Sequence, residues 1–248
     1  MKFTIHITYF YLESRIKYIN RIIQETNTYE HPADIYIHTN NFHLTENTFE
    51  KYTNGLIKLI HYDLTNTNPE YLSWKCRDVM KQQINEYDVF MYIEDDILVP
   101  HKAIQYWLHY NEKLIKLNYN LGFVRIEFNN DIQYITDLEG VHLDTCITLD
   151  QQYCINNKNP YCAFWIYNKN EFVRFVNSPY YDISNIRGYD PRAASAIGLH
   201  GLHTNWYNGT IIPIIDKKLH DSCKIYHMPN NYIGHSHFAT IKFDEAIR

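Results

Sequence analysis

The chain has 248 residues and a net charge of −5, with 45% hydrophobic and 21% charged residues. That length supports a sizeable core, and that balance excludes an intrinsically disordered chain. The mild acidity argues against a dedicated nucleic-acid binder, which needs a basic face, and no apolar run approaches the roughly 18 residues of a membrane-spanning helix.

Lys2–Tyr11 reads as a strand, and residues 12–26 as a helix with Leu12, Ile16, Ile19, Ile22 and Ile23 on one face. Ile35–Ile37 and Leu56–Tyr62 are further strands, with a short helix expected over 45–52. Tyr71–Tyr87 carries Leu72, Cys76, Val79 or Met80, and Ile84 at helical spacing. Val89–Ile93 is a short, continuous apolar strand of the kind buried on both faces of a parallel sheet. Pro100 heads a helix over His101–Leu117, and Leu121–Phe128 is another strand. Residues 129–160 are polar and read as irregular. Ala163–Tyr167, Ile211–Ile215 and Lys224–His227 read as strands, Lys169–Val176 and Pro191–Leu199 as helices.

Strand and helix thus alternate through the first half, which predicts an α/β fold with a Rossmann-like, mostly parallel central sheet and helices on both faces. A single domain over 1–248 is expected, with a ligand-binding half over 1–130 and a site-completing half over 131–248. The five cysteines form no CxxC pair, and the even spacing of Cys146, Cys154 and Cys162 is not a zinc-ligand pattern, so they read as reduced thiols. Met1–His6 alternates like a strand rather than a secretory leader, so a soluble, cytoplasmic protein is expected.

The apolar run Val89–Ile93 leads directly into Glu94, Asp95 and Asp96. Three adjacent acids repel one another unless a cation or hydrogen-bond donors compensate them. Open α/β sheets place ligands beyond the carboxyl ends of their strands, and hard divalent cations accept both carboxylate and phosphate oxygens. A metal bridging to a diphosphate suits this position; a solvated acidic strand end is the plain alternative.

Glu94-Asp95-Asp96, followed by Ile97-Leu98-Val99-Pro100 and a helix, resembles the DxD-type motif of GT-A glycosyltransferases, most closely the N-acetylglucosaminyltransferase I-like branch. The resemblance covers the strand–helix order of the first 130 residues and the acidic motif itself. It implies a GT-A-like fold, a nucleoside-diphosphate sugar donor (a UDP-sugar foremost), and Mn²⁺ or Mg²⁺ on Asp96. It places Asp95 toward the ribose or sugar, with Glu94 as a supporting acid. It also puts Thr8 and Tyr9, and Asn40 after the second strand, near the nucleotide. A glycan, protein or small-molecule acceptor is implied, and neither nucleic acid nor a transmembrane segment.

Arg77 lies one turn from Lys81 on the helix before the motif and is positioned to reach a diphosphate if that helix flanks the site; a solvated face is the alternative. Among the late histidines, His227 ends an apparent strand and is the favoured additional metal ligand, with His237 second. In Arg187-Gly188-Tyr189-Asp190-Pro191-Arg192, Asp190 reads as the N-cap of a helix starting at Pro191. The resemblance makes Asp190 the base of an inverting transfer, with Glu127 as the alternative. Trp165, Trp206 and Tyr207 are candidate acceptor-stacking rings or core residues. The rival readings are a sugar- or nucleotide-binding module without turnover, a metal-dependent phosphohydrolase, and, against the net charge, a single-strand nucleic-acid binder.

Overall fold

The computed structural model describes residues 1–186, 188–201, 204 and 206–248. In chain order the first elements are β1 (Phe3–Tyr9), α1 (Ile16–Thr26), β2 (Ala33–Thr39), β3 (Ile57–His61), α2 (Leu72–Gln82), β4 (Val89–Glu94), β5 (Ile97–Leu98) and α3 (His101–Lys116). There follow β6 (Asn120–Leu121), β7 (Val124–Asn129), β8 (Ile132–Ile135), β9 (Cys146–Thr148), β10 (Gln152–Ile155), β11 (Phe164–Asn168) and α4 (Lys169–Val176). The last are α5 (Pro191–Ser195), β12 (Thr210–Ile215), β13 (Lys218–Leu219), β14 (Lys224–His227) and β15 (Ile241–Lys242). The result is a mixed α/β chain.

The chain does not halve near residue 130. It forms two compact units, each discontinuous: Met1–Ile97 with Ala163–Gly198, and Leu98–Cys162 with Leu199–Arg248.

The first unit is built on one sheet in the order β11-β4-β1-β2-β3. β1 to β4 are parallel and β11 runs antiparallel to β4. From β1 the chain steps outward through β2 and β3, then returns to add β4 on the other side. The strand order therefore reverses between β1 and β4, the switch point at which such sheets open a crevice. Every residue of β1, β2 and β4 is buried, as a sheet covered on both faces requires.

One face of β1 presents Phe3, Ile5 and Ile7; the other presents Thr4, His6 and Thr8. The polar face is satisfied by a row of neutral hydrogen bonds. Tyr62 Oη lies 2.9 Å from His38 Nδ1, His38 Nε2 lies 2.8 Å from His6 Nδ1, and His6 Nε2 lies 3.0 Å from Gln83 Oε1. The Gln83 oxygen only accepts, so His6 carries its proton on Nε2 and accepts at Nδ1 from His38, which in turn accepts from the Tyr62 hydroxyl. Burial pushes the His6 pKa down to about 3 and that of His38 well below its usual value, so both rings stay neutral.

The second unit holds a sheet in the order β13-β12-β10-β9, with β6 added parallel to β12, and another containing β15-β8-β7-β14. The expected strand Leu121–Phe128 divides at Gly122. Gly122 N donates to Ile211 O in one sheet, and Val124 starts the strand of the other. A Cβ at Gly122 would lie 2.7 Å from Ile212 Cγ1, so the close approach needs glycine. Residues 129–160 are not irregular: they contain β8, β9 and β10. Arg125 and Asp137 form a buried ion pair at 2.6 Å between the rings of Tyr161 and Tyr232. Among the described residues no helix is long and apolar enough to cross a membrane.

Candidate functional site

A cavity of about 290 Å³ lies within the first unit at the switch point. Thr8 from the end of β1, Glu94 and Asp95 from the end of β4, and Phe10, Leu12 and Arg15 from the β1–α1 connection line it. Glu70, Leu72 and Ser73 at the head of α2, and Arg192 on α5, complete the wall. Thr8 is held by a 3.3 Å contact between its hydroxyl and that of Tyr92, which lies 2.8 Å from Ser195 Oγ.

The three acids are buried, each under a tenth exposed. Asp95 and Asp96 are compensated by Arg15. Its Nε donates to Asp95 Oδ2 at 2.7 Å, and its Nη2 donates to Asp95 Oδ1 at 2.6 Å and Asp96 Oδ2 at 2.5 Å. A planar guanidinium matches a carboxylate edge in this bidentate way. Burial and the adjacent Asp96 push the Asp95 pKa up to about 7, against the pull of Arg15. Among the described residues, no three His, Cys, Asp or Glu side chains are grouped to hold a metal ion. In this structure a cation of the chain itself, the Arg15 guanidinium, lies on the paired oxygens of Asp95 and Asp96.

The other expected site residues are placed as follows. Tyr9 is fully buried and its hydroxyl donates to Leu12 O at 2.8 Å, so it presents no ring face to a ligand. The exposed aromatic at this strand end is Phe10. Asn40 accepts from Tyr11 N at 2.8 Å and pins the chain leaving β1. Arg77 is neither a diphosphate ligand nor part of a solvated face. It is buried, it donates to Tyr180 O, Tyr181 O and Ser195 O at 2.7–3.0 Å, and it stacks on Trp74. An arginine surrounded by three carbonyls and three aromatic rings is a structural pin. Trp165 is also core, donating to Ser195 O and stacked between Tyr92 and Tyr167.

Asp190 is the N-cap of α5: its Oδ1 accepts from Ala193 N at 2.8 Å. Gly188 takes φ of +84°, a value other residues rarely adopt, to lead the chain into that cap. Arg187 of the same motif lies outside the described residues. Asp190 is exposed and does not line the cavity, whereas Arg192 does.

In the second unit, His227 Nδ1 lies 2.5 Å from Glu127 Oε1, and Glu127 Oε2 accepts from Tyr232 N and Ile233 N. The carboxylate only accepts there, so Nδ1 of the ring carries a proton. Carboxylate-oriented imidazoles of this kind are the ones that ligate metals or take protons. Glu127 is therefore a partner of His227 and has no oxygen turned to a separate task. His237 is exposed, and its backbone N donates to His235 Nδ1. Tyr207 lines a second cavity of about 280 Å³, with Asn156, His200 and Thr210.

Sequence reasoning missed Arg15, Phe10, Glu70 and Arg192. A signal existed for Arg15: three crowded acids demand a cation, and the connection leaving β1 lies beside the end of β4 at a switch point. No family model matches the chain, and no curated protein is significantly similar to it.

Proposed function

We propose that this chain is a GT-A-like glycosyltransferase that moves a sugar from a nucleoside-diphosphate sugar, a UDP-sugar foremost, to an acceptor hydroxyl. The observation that carries the reading is the cavity at the β1/β4 switch point, lined by Asp95 and by Arg15, whose guanidinium also pairs with the neighbouring Asp96. The strand order of the first unit, with β1 to β4 parallel, supports it as well. Phe10 offers an exposed ring for a nucleobase, and Arg192 offers positive charge to a diphosphate in the same cavity.

Asp96, with Asp95, would hold Mn²⁺ or Mg²⁺, which when bound neutralises charge on a departing diphosphate. Arg15 sits on the same oxygens, so it competes with such a cation and keeps the acids compensated otherwise. His227, held by Glu127, belongs to the second unit and is not assigned to that cation. Asp190 is the candidate base for an inverting transfer, accepting the proton of the acceptor hydroxyl. The Arg15 bridge also favours a second reading, a nucleotide-binding module without turnover, in which the guanidinium is the permanent counter-ion.

Thermal denaturation with a panel of nucleoside diphosphates and nucleotide sugars, with and without Mn²⁺, tests this. A ligand at 100 times its dissociation constant adds about 2.7 kcal/mol of stability. The expected result is a Mn²⁺-dependent rise with one nucleotide, lost in Asp96→Ala, together with slow donor hydrolysis. A nucleotide response without hydrolysis selects the binding module, and no response to any nucleotide removes the donor site.

A further inference from the structure

β9 and β10 form a hairpin in the second unit, and their register places Cys146 directly opposite Cys154. The hydrogen bonds fix the type of that pair. Ile155 N donates to Thr145 O, and Leu149 N donates to Gln151 O, so the bonded pairs are those flanking Cys146 and Cys154. Bonded and non-bonded pairs alternate along an antiparallel ladder, so Cys146 and Cys154 occupy a non-hydrogen-bonded position. There the Cα atoms lie about 4.5 Å apart and side chains on one face are at their closest, inside the window a disulfide spans.

Both cysteines are free thiols. Their exposure differs sharply. Cys146 is exposed on the terminal strand of its sheet, and Cys154 is fully buried beside it. Burial, together with the neighbouring Cys146, pushes the Cys154 pKa up to about 12. The exposed thiol therefore meets a reagent first. Sequence spacing alone conceals this arrangement, since the hairpin and not a CxxC motif brings the sulfurs together.

We propose that Cys146 and Cys154 form a reversible thiol–disulfide modification site, with a low-molecular-weight disulfide of the glutathione class as its co-substrate. The Cys146 thiolate attacks one sulfur of the small disulfide, forming a mixed disulfide and expelling one thiolate, which takes the proton Cys146 lost. Cys154 Sγ then attacks Cys146 Sγ, its proton passing to the second small thiolate as that leaves. Two protein thiols are oxidised to one disulfide, and one small disulfide is reduced to two thiols. Capping Cys146 also removes the negative charge that disfavours ionisation of Cys154.

The test uses the full chain and trypsin. Cleavage after Arg125 and Lys158 releases residues 126–158, which contain Cys146 and Cys154 but none of Cys76, Cys162 and Cys223. After incubation of the native protein with glutathione disulfide, that peptide should weigh two hydrogens less and take up no iodoacetamide. Dithiothreitol should restore both. Cys154→Ser should instead accumulate a glutathione adduct on Cys146, and Cys146→Ser should leave Cys154 unmodified. The proposal is overturned if the wild-type peptide keeps two alkylatable thiols, if it ends as a stable glutathione adduct, or if the disulfide that forms joins either cysteine to Cys76, Cys162 or Cys223. The wild-type arm needs no substitution, so a variant that fails to fold leaves the result intact.

Discussion

Arg15 lays its guanidinium along the Asp95 carboxylate, one nitrogen on each oxygen, at 2.7 and 2.6 Å. The Nη2 that reaches Asp95 also reaches Asp96, so one side chain compensates both acids. Arg15 is about a quarter exposed, so solvent weakens the pair relative to a fully buried one. Arg15→Gln should then cost about 2 kcal/mol in the presence of a chelator, between the values for surface and buried pairs. The same variant should gain more melting temperature from Mn²⁺ than the wild type does, because the competing cation is gone. Calorimetry with and without Mn²⁺ checks both. A metal response in neither protein would leave Arg15 as the resident counter-ion of the acids.

Phe10 is exposed and lines the cavity, so its ring contributes little to the core. Phe10→Ala should change stability by less than about 0.5 kcal/mol. If the ring stacks on a base, nucleotide affinity should fall by about tenfold, the low-to-middle range for base–aromatic stacking. Titration calorimetry with the nucleotide that stabilises the wild type separates the two effects. Unchanged affinity would move the base away from β1.

Arg77 should behave as a stability residue. Arg77→Met removes three donors to buried carbonyls and should cost about 3–5 kcal/mol in urea denaturation. Arg77→Lys should recover part of this, since one ammonium cannot reproduce the planar fork. In protein that remains folded, nucleotide affinity should match the wild type. A selective loss of affinity in Arg77→Lys would return Arg77 to the site.

The observed cap role of Asp190 and its proposed role as a base are separable. Asparagine caps a helix about as well as aspartate, so Asp190→Asn should alter stability by only a few tenths of a kcal/mol, whereas Asp190→Ala should cost about 1 kcal/mol. A general base contributes about 10²–10⁴-fold, so under the proposed mechanism Asp190→Asn should lose that factor in transfer rate. Full activity in a stable Asp190→Asn variant would confine the residue to capping.

The histidine row predicts a dependence on pH. Burial depresses the His6 pKa to about 3 and lowers that of His38, from an unfolded value of 6.5. Below 6.5 the unfolded chain binds protons that the folded chain does not, so stability falls as pH falls. Each histidine adds up to about 1.4 kcal/mol per pH unit to that slope. The groups facing the pair are Thr4, Tyr36, Tyr62 and Gln83, none of them charged. Urea titrations at about pH 7, 6 and 5 on Asp95→Asn, which removes the opposing contribution of the raised Asp95 pKa, should show the loss, and a flat profile there would overturn the neutral histidine pair.

Legibility in the sequence followed the physics of each segment. Lys169–Val176 and Lys224–His227 are read with both ends correct, because periodicity, the Asn168 cap and the apolar alternation agree. The acid cluster was legible because an apolar strand running into three carboxylates is an electrostatic problem in any fold. Its solution required the strand order as well, since the cation arrives from the connection after β1. Arg77 failed for the opposite reason: a helical arginine normally reads as solvated, and only tertiary structure supplies three carbonyls around it. β8 to β10 were missed because short, polar strands are defined by pairing more than by composition.

The histidine row has one more consequence. In a sheet buried on both faces, sliding β2 by two residues along β1 would keep every side chain on its own face and hide nearly as much hydrocarbon. Apolar packing alone therefore discriminates poorly between such alignments. The slide would separate His6 from His38 and strand imidazole nitrogens in a dry interior. Alignment of the central strands is thus encoded by hydrogen-bond direction, running from Tyr62 to Gln83, as much as by hydrophobicity.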